Sequence, residues 1–247
     1  MLKLLEIRGS RDIDSGGKGM RRMLTAEGIY KRYGRQEILK GVDLEILPGT
    51  CTGIIGGNGC GKTTLLSVLA GVMRADKGRI CLDGKKIQGN SRTYGDRVAY
   101  VPQENPLMEE LTVKDNLLLW YKGNKKAMKE DLESGAPALL GVGPMLKLTA
   151  DKLSGGMKKR LSIACALAGH GSYLILDEPG AALDMECKAD IRRYLKTYVS
   201  SGGAVVLTSH ETAELSVCTQ MYVLRGGKLE EIGIHLPEQE LIRLMKK

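Results

Sequence analysis

Gly56-Gly57-Asn58-Gly59-Cys60-Gly61-Lys62-Thr63 is a glycine-rich loop closed by a lysine and a threonine, and it follows directly on the apolar run from Cys51 to Ile55. The glycines let the backbone curl so that successive N–H groups point inward at phosphate groups. In this arrangement Lys62 reaches the β- and γ-phosphates, and the hydroxyl of Thr63 is a ligand for Mg²⁺. The stretch predicts a site for a nucleoside triphosphate between a strand and a helix.

A helix is predicted directly after this loop, from Lys62 to Ala70, and it ends at Gly71. A helix N-terminus carries a positive partial charge and free N–H groups, so it attracts anions. Thr64 lies in the first turn of this helix. We therefore count every residue from Gly56 to Thr64 among the predicted nucleotide-binding residues.

Length and composition indicate a globular chain. Its 247 residues are enough for one large α/β domain, or for a core with an inserted subdomain. Apolar residues make up 43% and charged residues 27%, whereas aromatic residues make up only 4% and phenylalanine is absent. The core must therefore consist of leucine, isoleucine, valine, alanine and methionine.

The six cysteines show no C-x-x-C spacing, and most fall in apolar runs. This pattern favours reduced thiols over a disulfide or zinc framework, and it predicts a cytosolic protein. No stretch approaches the ~18 consecutive apolar residues that a bilayer span needs, and the N-terminus breaks its short apolar patch with charges. We expect a chain that is neither secreted nor membrane-spanning.

The formal net charge of +8 is compatible with nucleic acid or an anionic membrane surface as partner. However, the basic residues are scattered, with their densest clusters at Lys122 to Lys129 and Lys158 to Arg160. No aromatic residues alternate with them, as single-strand binding requires. We therefore expect no nucleic-acid partner and interpret the charge as a surface close to nucleotide and lipid headgroups.

The order of predicted elements indicates an α/β fold with a mostly parallel sheet. Residues 1–22 show no periodicity and are predicted to be a flexible leader. Residues 24–46 predict an N-terminal antiparallel subdomain, and the helical pattern of residues 104–152 predicts a helical subdomain inserted between strands of the sheet. We assign the main domain to 23–232 with the helical insertion at 104–165, and a short C-terminal helix to 233–247.

Two adjacent carboxylates end an apolar strand in Tyr173-Leu174-Ile175-Leu176-Asp177-Glu178. Ligands bind at the carboxyl ends of strands in open α/β sheets. Asp177 is therefore predicted to hold Mg²⁺, directly or through water, and Glu178 to orient and deprotonate the water that attacks the γ-phosphate. Taken alone, the pair can equally mark the end of a strand.

A second candidate anion site is Leu153-Ser154-Gly155-Gly156-Met157, which opens a predicted helix. The small residues leave backbone N–H groups accessible at a helix N-terminus. Taken alone, the segment is better interpreted as an ordinary cap in which Ser154 satisfies the first turn.

The motifs occur in a fixed order: Lys62, Gln103 after Tyr100-Val101-Pro102, Leu-Ser-Gly-Gly at 153–156, Asp177-Glu178, Leu183-Asp184, and His210 after Thr208-Ser209. This ordered set resembles the nucleotide-binding domain of ABC transporter ATPases, over roughly residues 23–232. The resemblance implies a P-loop NTPase fold that binds ATP. It also implies that two such domains pair head to tail, each sealing one ATP between its own phosphate loop and the Leu-Ser-Gly-Gly segment of the other.

The resemblance further implies roles for single residues. Tyr33 is the aromatic residue that stacks on adenine, and Thr63 and Gln103 are Mg²⁺ ligands. Gln103 also senses the membrane partner through the helical subdomain. His210 is the switch histidine that touches the γ-phosphate, and Asp184 lies in the loop that crosses the dimer. The alternative for His210 is a cap on the helix that follows it.

The sequence departs from the family pattern at five residues in three segments. Gly57 replaces the usual proline, Met157 replaces a frequent glutamine, and Gly180-Ala181-Ala182 replaces small hydroxyl residues. The last change removes a side-chain hydrogen bond that helps to couple the two sites. None of these positions is a catalytic group, so we expect hydrolysis to be intact.

The resemblance implies an ATPase subunit, as a homodimer or paired with a related ATPase, on the inner face of the cell membrane. It would power a separate permease, most like those of drug, antibiotic or lipid exporters. A soluble ATPase of this family acting on ribosomes or DNA is the alternative, but such relatives usually carry two cassettes or a long coiled coil. A P-loop kinase is a third class, which gives no reason for the Leu-Ser-Gly-Gly run.

Overall fold

The computed structural model describes residues 23–87, 91–169 and 171–246, except for the side chains of 91–93. The elements in chain order are β1 (Leu24–Tyr33), β2 (Gln36–Ile46), β3 (Cys51–Ile55), α1 (Lys62–Leu69), β4 (Lys77–Leu82), β5 (Lys85–Lys86), α2 (Ser91–Arg97), β6 (Val98–Val101), α3 (Val113–Trp120), α4 (Lys125–Ser134), α5 (Ala136–Leu139), α6 (Gly155–Ala166), β7 (Tyr173–Asp177), α7 (Met185–Ser200), β8 (Ala204–Thr208), α8 (Thr212–Leu215), β9 (Gln220–Arg225), β10 (Lys228–Ile232) and α9 (Glu238–Lys246).

The described strands form two sheets. One is antiparallel with the order β2-β1-β4-β5, and the other has the order β10-β9-β3-β8-β7-β6. In the second sheet β9, β3, β8, β7 and β6 run parallel to one another, and β10 pairs antiparallel with β9 at the edge. The predicted mostly parallel core with an N-terminal antiparallel sheet is therefore confirmed.

The central strands are buried on both faces because helices or a second sheet cover each side. Alternate residues of β7 belong to different core clusters: Leu174 and Leu176 pack with the inserted helices and α7, whereas Tyr173 and Ile175 pack with α1 and the antiparallel sheet. The period-two alternation of side chains produces this division. The parallel sheet is the layer that holds the two cores together.

Side-chain caps determine where several helices begin. Thr112 accepts a hydrogen bond from the backbone N–H of Asp115 at the start of α3, and Asn124 and Asp184 do the same for α4 and α7. Each cap satisfies an N–H group that the helix itself cannot pair. These three caps define the first turns of α3, α4 and α7.

Most elements fall where the sequence predicts them, with ends shifted by a few residues. The helix α2 is a correction, because its segment Ser91–Arg97 was not predicted as helical. Its polar residues and Gly95 lack the apolar period that identifies an amphipathic helix. The predicted leader at 1–22 lies outside the described residues, and the division into domains stays a prediction.

In the part of the chain that the structure describes, no helix is both long and apolar enough to span a bilayer.

Candidate nucleotide site

The phosphate loop connects β3 to α1 through glycines in conformations that other residues avoid. Gly59 and Gly61 have φ angles of 75° and 109°. A Cβ atom at Gly61 would lie 2.5 Å from a side-chain carbon of Ile38, so this position also lacks space for a side chain. The loop therefore requires glycine for both conformation and packing.

Lys62 is buried, and its ammonium group folds back on the loop. Its Nζ lies 2.9 Å from the carbonyl oxygen of Gly56 and 3.3 Å from that of Gly57. The helix that Lys62 begins has no side-chain cap, since its N-cap residue is Gly61. A buried cation and free helix N–H groups at one loop are the elements that bind a phosphate group.

The two predicted carboxylates lie at the carboxyl end of β7. Asp177 is buried, and its Oδ1 accepts a 2.6 Å hydrogen bond from the hydroxyl of Thr208 at the end of β8. The other oxygen, Oδ2, is buried without a hydrogen-bond partner among the described residues. An unpaired buried carboxylate oxygen is costly unless a cation or water satisfies it, so the donor set fits the Mg²⁺ that the sequence predicts here.

Glu178 has a positive φ of 47°, which is uncommon for a residue other than glycine. Its backbone N–H donates to the same Thr208 hydroxyl at 3.0 Å, and its carboxylate is held by two side chains. The Nε2 of Gln103 lies 3.2 Å from Oε2, and the Nε2 of His210 lies 3.2 Å from Oε1. The structure thus brings three predicted residues from three separate strand ends into direct contact.

Lys159, like Thr208 and Glu214, belongs to this site but was given no role by the sequence analysis. It lies on α6 with only 2% of its surface exposed, and its Nζ donates to the carbonyls of Pro102 at 3.1 Å and Gln103 at 3.0 Å. Burial lowers the pKa of Lys159, and the carboxylates of Asp177 and Glu214 oppose that shift. Its signal lies three and four residues further along α6, where Ser162 and Ile163 share its face of the helix and are buried.

The Ser154-Gly155-Gly156 turn begins α6. The hydroxyl of Ser154 accepts from the N–H of Met157 at 3.3 Å, which confirms the cap, and both Ser154 and Gly155 are exposed. Among the described residues, no hydrogen bond or ion pair joins this turn to the phosphate loop. A Cβ at Gly155 would meet Leu183, and one at Gly156 would meet Cys187, so the turn packs against the start of α7.

The glycine at 180 is explained by its neighbour Glu214. A Cβ atom at Gly180 would collide with Oε1 of Glu214, so the carboxylate fills the space where other residues carry a side chain. Glu214 is buried and accepts a 2.6 Å hydrogen bond from the hydroxyl of Ser209. Burial raises the pKa of Glu214, and this hydrogen bond lowers it. A carboxylate from α8 thus occupies the space next to Gly180.

Two further predicted residues lie at the surface. Thr63 is exposed in the first turn of α1, and Tyr33 is 49% exposed at the end of β1, where its hydroxyl lies 3.1 Å from the sulfur of Met73. An accessible ring and an accessible hydroxyl leave both groups free to meet a ligand. The cap alternative for His210 does not hold, since α8 begins after Glu211 and has no side-chain cap.

The family model described as ABC transporter matches residues 39–181, more than half of the chain. The chain belongs to the ABC transporter family. The resemblance drawn from the ordered motifs is thereby confirmed, and so are the predictions of a P-loop α/β fold and of an ATP-binding, ATP-hydrolysing protein.

Curated relatives of this ABC protein include importers and exporters. A lipopolysaccharide export system ATP-binding protein of Haemophilus influenzae is 32% identical, and the alignment covers 88% of this chain and 92% of that protein. A linearmycin resistance ATP-binding protein of Bacillus subtilis is 33% identical, covering 85% and 69%. An Fe(3+) ions import ATP-binding protein of Mesorhizobium japonicum is 35% identical over 85% of this chain, which spans 60% of that protein.

Solved structures show the same fold. A nucleotide-free ATP-binding cassette from an ABC transporter superposes with a TM-score of 0.77 and 26% identity, covering 91% of this chain and 95% of that one. None of the relatives named here is described as acting on ribosomes or DNA. ATP-binding subunits of this family work with membrane permeases.

We expect Thr208→Val to disturb Asp177 and Glu178, the two carboxylates of the candidate nucleotide site. Valine has nearly the same shape as threonine but no hydroxyl, so Asp177 Oδ1 and the N–H of Glu178 both lose their partner. The unfolding free energy should fall by about 1–3 kcal/mol, because buried polar groups are left unpaired. Urea denaturation measures this loss, and ATP turnover should fall with it. Thr208→Ser retains the hydroxyl and should restore both properties; equal losses in the two variants would contradict this role.

We expect Lys159→Met to lower ATP turnover at saturating ATP by about 3- to 10-fold and to leave KM nearly unchanged. The reason is that Lys159 donates to the backbone at Pro102 and Gln103, and among the described residues no hydrogen bond or ion pair joins it to the phosphate loop. Separate determination of kcat and KM checks this. The matched control is Lys158→Met on the same helix, whose Nζ pairs with the exposed Glu109. An increase in KM with unchanged kcat is the contrary result.

Proposed function

We propose that this ABC protein binds ATP with Mg²⁺ and hydrolyses it as one of a pair of ATPase chains that drives a separate membrane permease. The observation that carries this proposal is the placement of Glu178, whose carboxylate lies between Gln103 and His210 and next to the buried Asp177. A water-activating base needs this combination of orientation and access.

The phosphate loop supplies the binding energy for the triphosphate. Its free N–H groups and the N-terminus of α1 bind phosphate oxygens, and Lys62 exchanges the carbonyls of Gly56 and Gly57 for the β- and γ-phosphates. Thr63, Gln103 and Asp177 would hold Mg²⁺, which neutralises phosphate charge when bound. Tyr33, at the exposed end of β1, stacks on the adenine base.

Hydrolysis requires a water molecule in line with the γ-phosphate. Glu178 accepts a proton from this water, and Thr208 holds the backbone of Glu178 so that the carboxylate stays in place. His210 lies 3.2 Å from Glu178 and is close enough to move to the γ-phosphate as charge develops there. The roles assigned to these residues are those that the sequence analysis proposed.

A second chain completes the site. Ser154 and Gly155 are exposed, whereas Gly156 is buried against the start of α7, and the turn makes no hydrogen bond to its own phosphate loop among the described residues. A helix N-terminus of this kind binds an anion that reaches it from outside. We infer that it covers the γ-phosphate of ATP bound to a partner subunit, either a second copy or a related ATPase.

Closure of the two ATPase chains around ATP couples the free energy of ATP binding and hydrolysis to the permease. A ligand shifts an equilibrium between open and closed states only by its differential affinity for them. Lys159 joins the helix of the Ser154 turn to the backbone at Gln103, so movement of either segment is passed to the other. We place this protein on the inner face of the cell membrane, and the export relatives favour a drug, antibiotic or lipid exporter.

We expect Glu178→Gln to bind ATP normally and to accumulate as a dimer that encloses nucleotide. Glutamine keeps the shape of the side chain but is a far weaker base, so ATP remains intact between the two chains. Size-exclusion chromatography with Mg²⁺ and ATP detects the dimer. Glu133→Gln on the exposed side of α4 is the matched control and should turn over ATP like the parent. Full turnover by Glu178→Gln would refute its assignment as base.

We expect Lys62→Ala to abolish detectable ATP binding, because the loop then loses its one buried cation. Titration with a fluorescent ATP analogue measures the affinity. Lys196→Ala, on an exposed position of α7, removes the same charge far from the loop and should bind as the unaltered protein does. If ATP affinity survives in Lys62→Ala, the phosphate loop is not the nucleotide site.

A further inference from the structure

We propose that α9 is a movable cover of the nucleotide site, and that its last turn has to leave before ATP binds and a partner subunit closes. This inference rests on the function proposed above. It concerns Met245, which makes contacts with two parts of the site that no sequence motif predicts.

The first contact is with His210. The sulfur of Met245 lies 3.3 Å from Nδ1 of this histidine, and Glu178 Oε1 lies 3.2 Å from Nε2. Both ring nitrogens are therefore occupied from within the same chain. His210 cannot turn toward a γ-phosphate without giving up at least one of these contacts.

The second contact is with the phosphate loop. A Cβ atom at Gly57 would lie 2.9 Å from the carbonyl oxygen of Met245, so the end of α9 lies directly against the loop. This contact is possible because Gly57 has no side chain. The family's usual residue at this position is proline, whose ring would collide with the same carbonyl.

The electrostatics of this end of the helix oppose phosphate binding. Carbonyl groups of the last turn have no partner within a helix and carry its negative partial charge. Met245 therefore points a carbonyl oxygen at the loop that should bind an anionic triphosphate.

The attachment of α9 is weak enough to be released. Leu241 is its one fully buried side chain among residues 238–246, with Leu244 and Met245 partly buried beside it. A partly open cavity of about 180 Å³ lies under the helix, lined in part by Leu215, Met221, Leu236 and Leu241. Incomplete packing removes contacts that would otherwise hold the helix in place.

The opposite role has one argument in its favour. Arg243 and Lys246 lie in the last turns of α9, and both are exposed. If they bind phosphate, ATP orders the helix instead of displacing it. The two roles predict opposite effects of ATP on the same segment, so one measurement separates them.

The first experiment compares Leu241→Ala with Ile242→Ala in the full chain. Loss of the buried anchor favours the released state, and apparent affinity rises with the fraction of competent protein. We expect Leu241→Ala to bind a fluorescent ATP analogue about threefold or more tightly than the parent. Ile242 is exposed on the same helix, so its truncation should leave the affinity unchanged.

The second experiment uses the unaltered protein, so it does not depend on how a variant folds. Hydrogen exchange of residues 238–246 is followed with and without Mg²⁺ and a non-hydrolysable ATP analogue. We expect faster exchange when the analogue is bound, since the helix is displaced. Slower or unchanged exchange overturns the proposal.

The outcomes also separate this inference from the proposed function. If the parent protein binds the analogue and Leu241→Ala binds it no better, the cover is refuted while the ATPase assignment stands. If neither protein binds the analogue, the proposed function fails and the inference fails with it. Tighter binding by Leu241→Ala alone, with faster exchange in the parent, supports the cover.

Discussion

The parallel pairing of β7 with β8 is the constraint on which the site depends, because its register places Asp177 opposite Thr208. One hydroxyl at this point accepts from the N–H of Glu178 and donates to the carboxylate of Asp177. Two adjacent acids would otherwise be free to rotate at the end of their strand. The shared hydroxyl separates their roles: Asp177 faces inward with an unpaired oxygen, while Glu178 turns outward in a conformation with positive φ.

Charge balance around this hydroxyl explains why so many polar groups are buried together. Lys62 and Lys159 are buried cations, and Asp177 and Glu214 are buried anions. An isolated buried charge costs several kcal/mol, so each needs a partner or a ligand. The ammonium group of Lys159 donates hydrogen bonds to two backbone carbonyls, and that of Lys62 donates to two others. Lys62 has the most to gain from a triphosphate, since ionised oxygens are stronger acceptors than carbonyls.

The sequence predicted the elements that obey local rules. The phosphate loop, the buried strands and the cap at Ser154 depend on residues that are neighbours in the chain, so their patterns identify them. The helix α2 was missed because it has no apolar face, and Lys159 was missed because a lysine in a helix is usually exposed. In both cases tertiary packing overrides the local preference.

The chain order of motifs therefore determined the family, the phosphate loop and the identity of the two carboxylates, because each depends on residue type and short spacing. Only the tertiary structure decided that Gln103, Glu178 and His210 form one cluster, that Glu214 fills the space at Gly180, and that the end of α9 lies against Gly57. These contacts join residues far apart in the chain. Their existence depends on how sheets and helices stack, which no local pattern encodes.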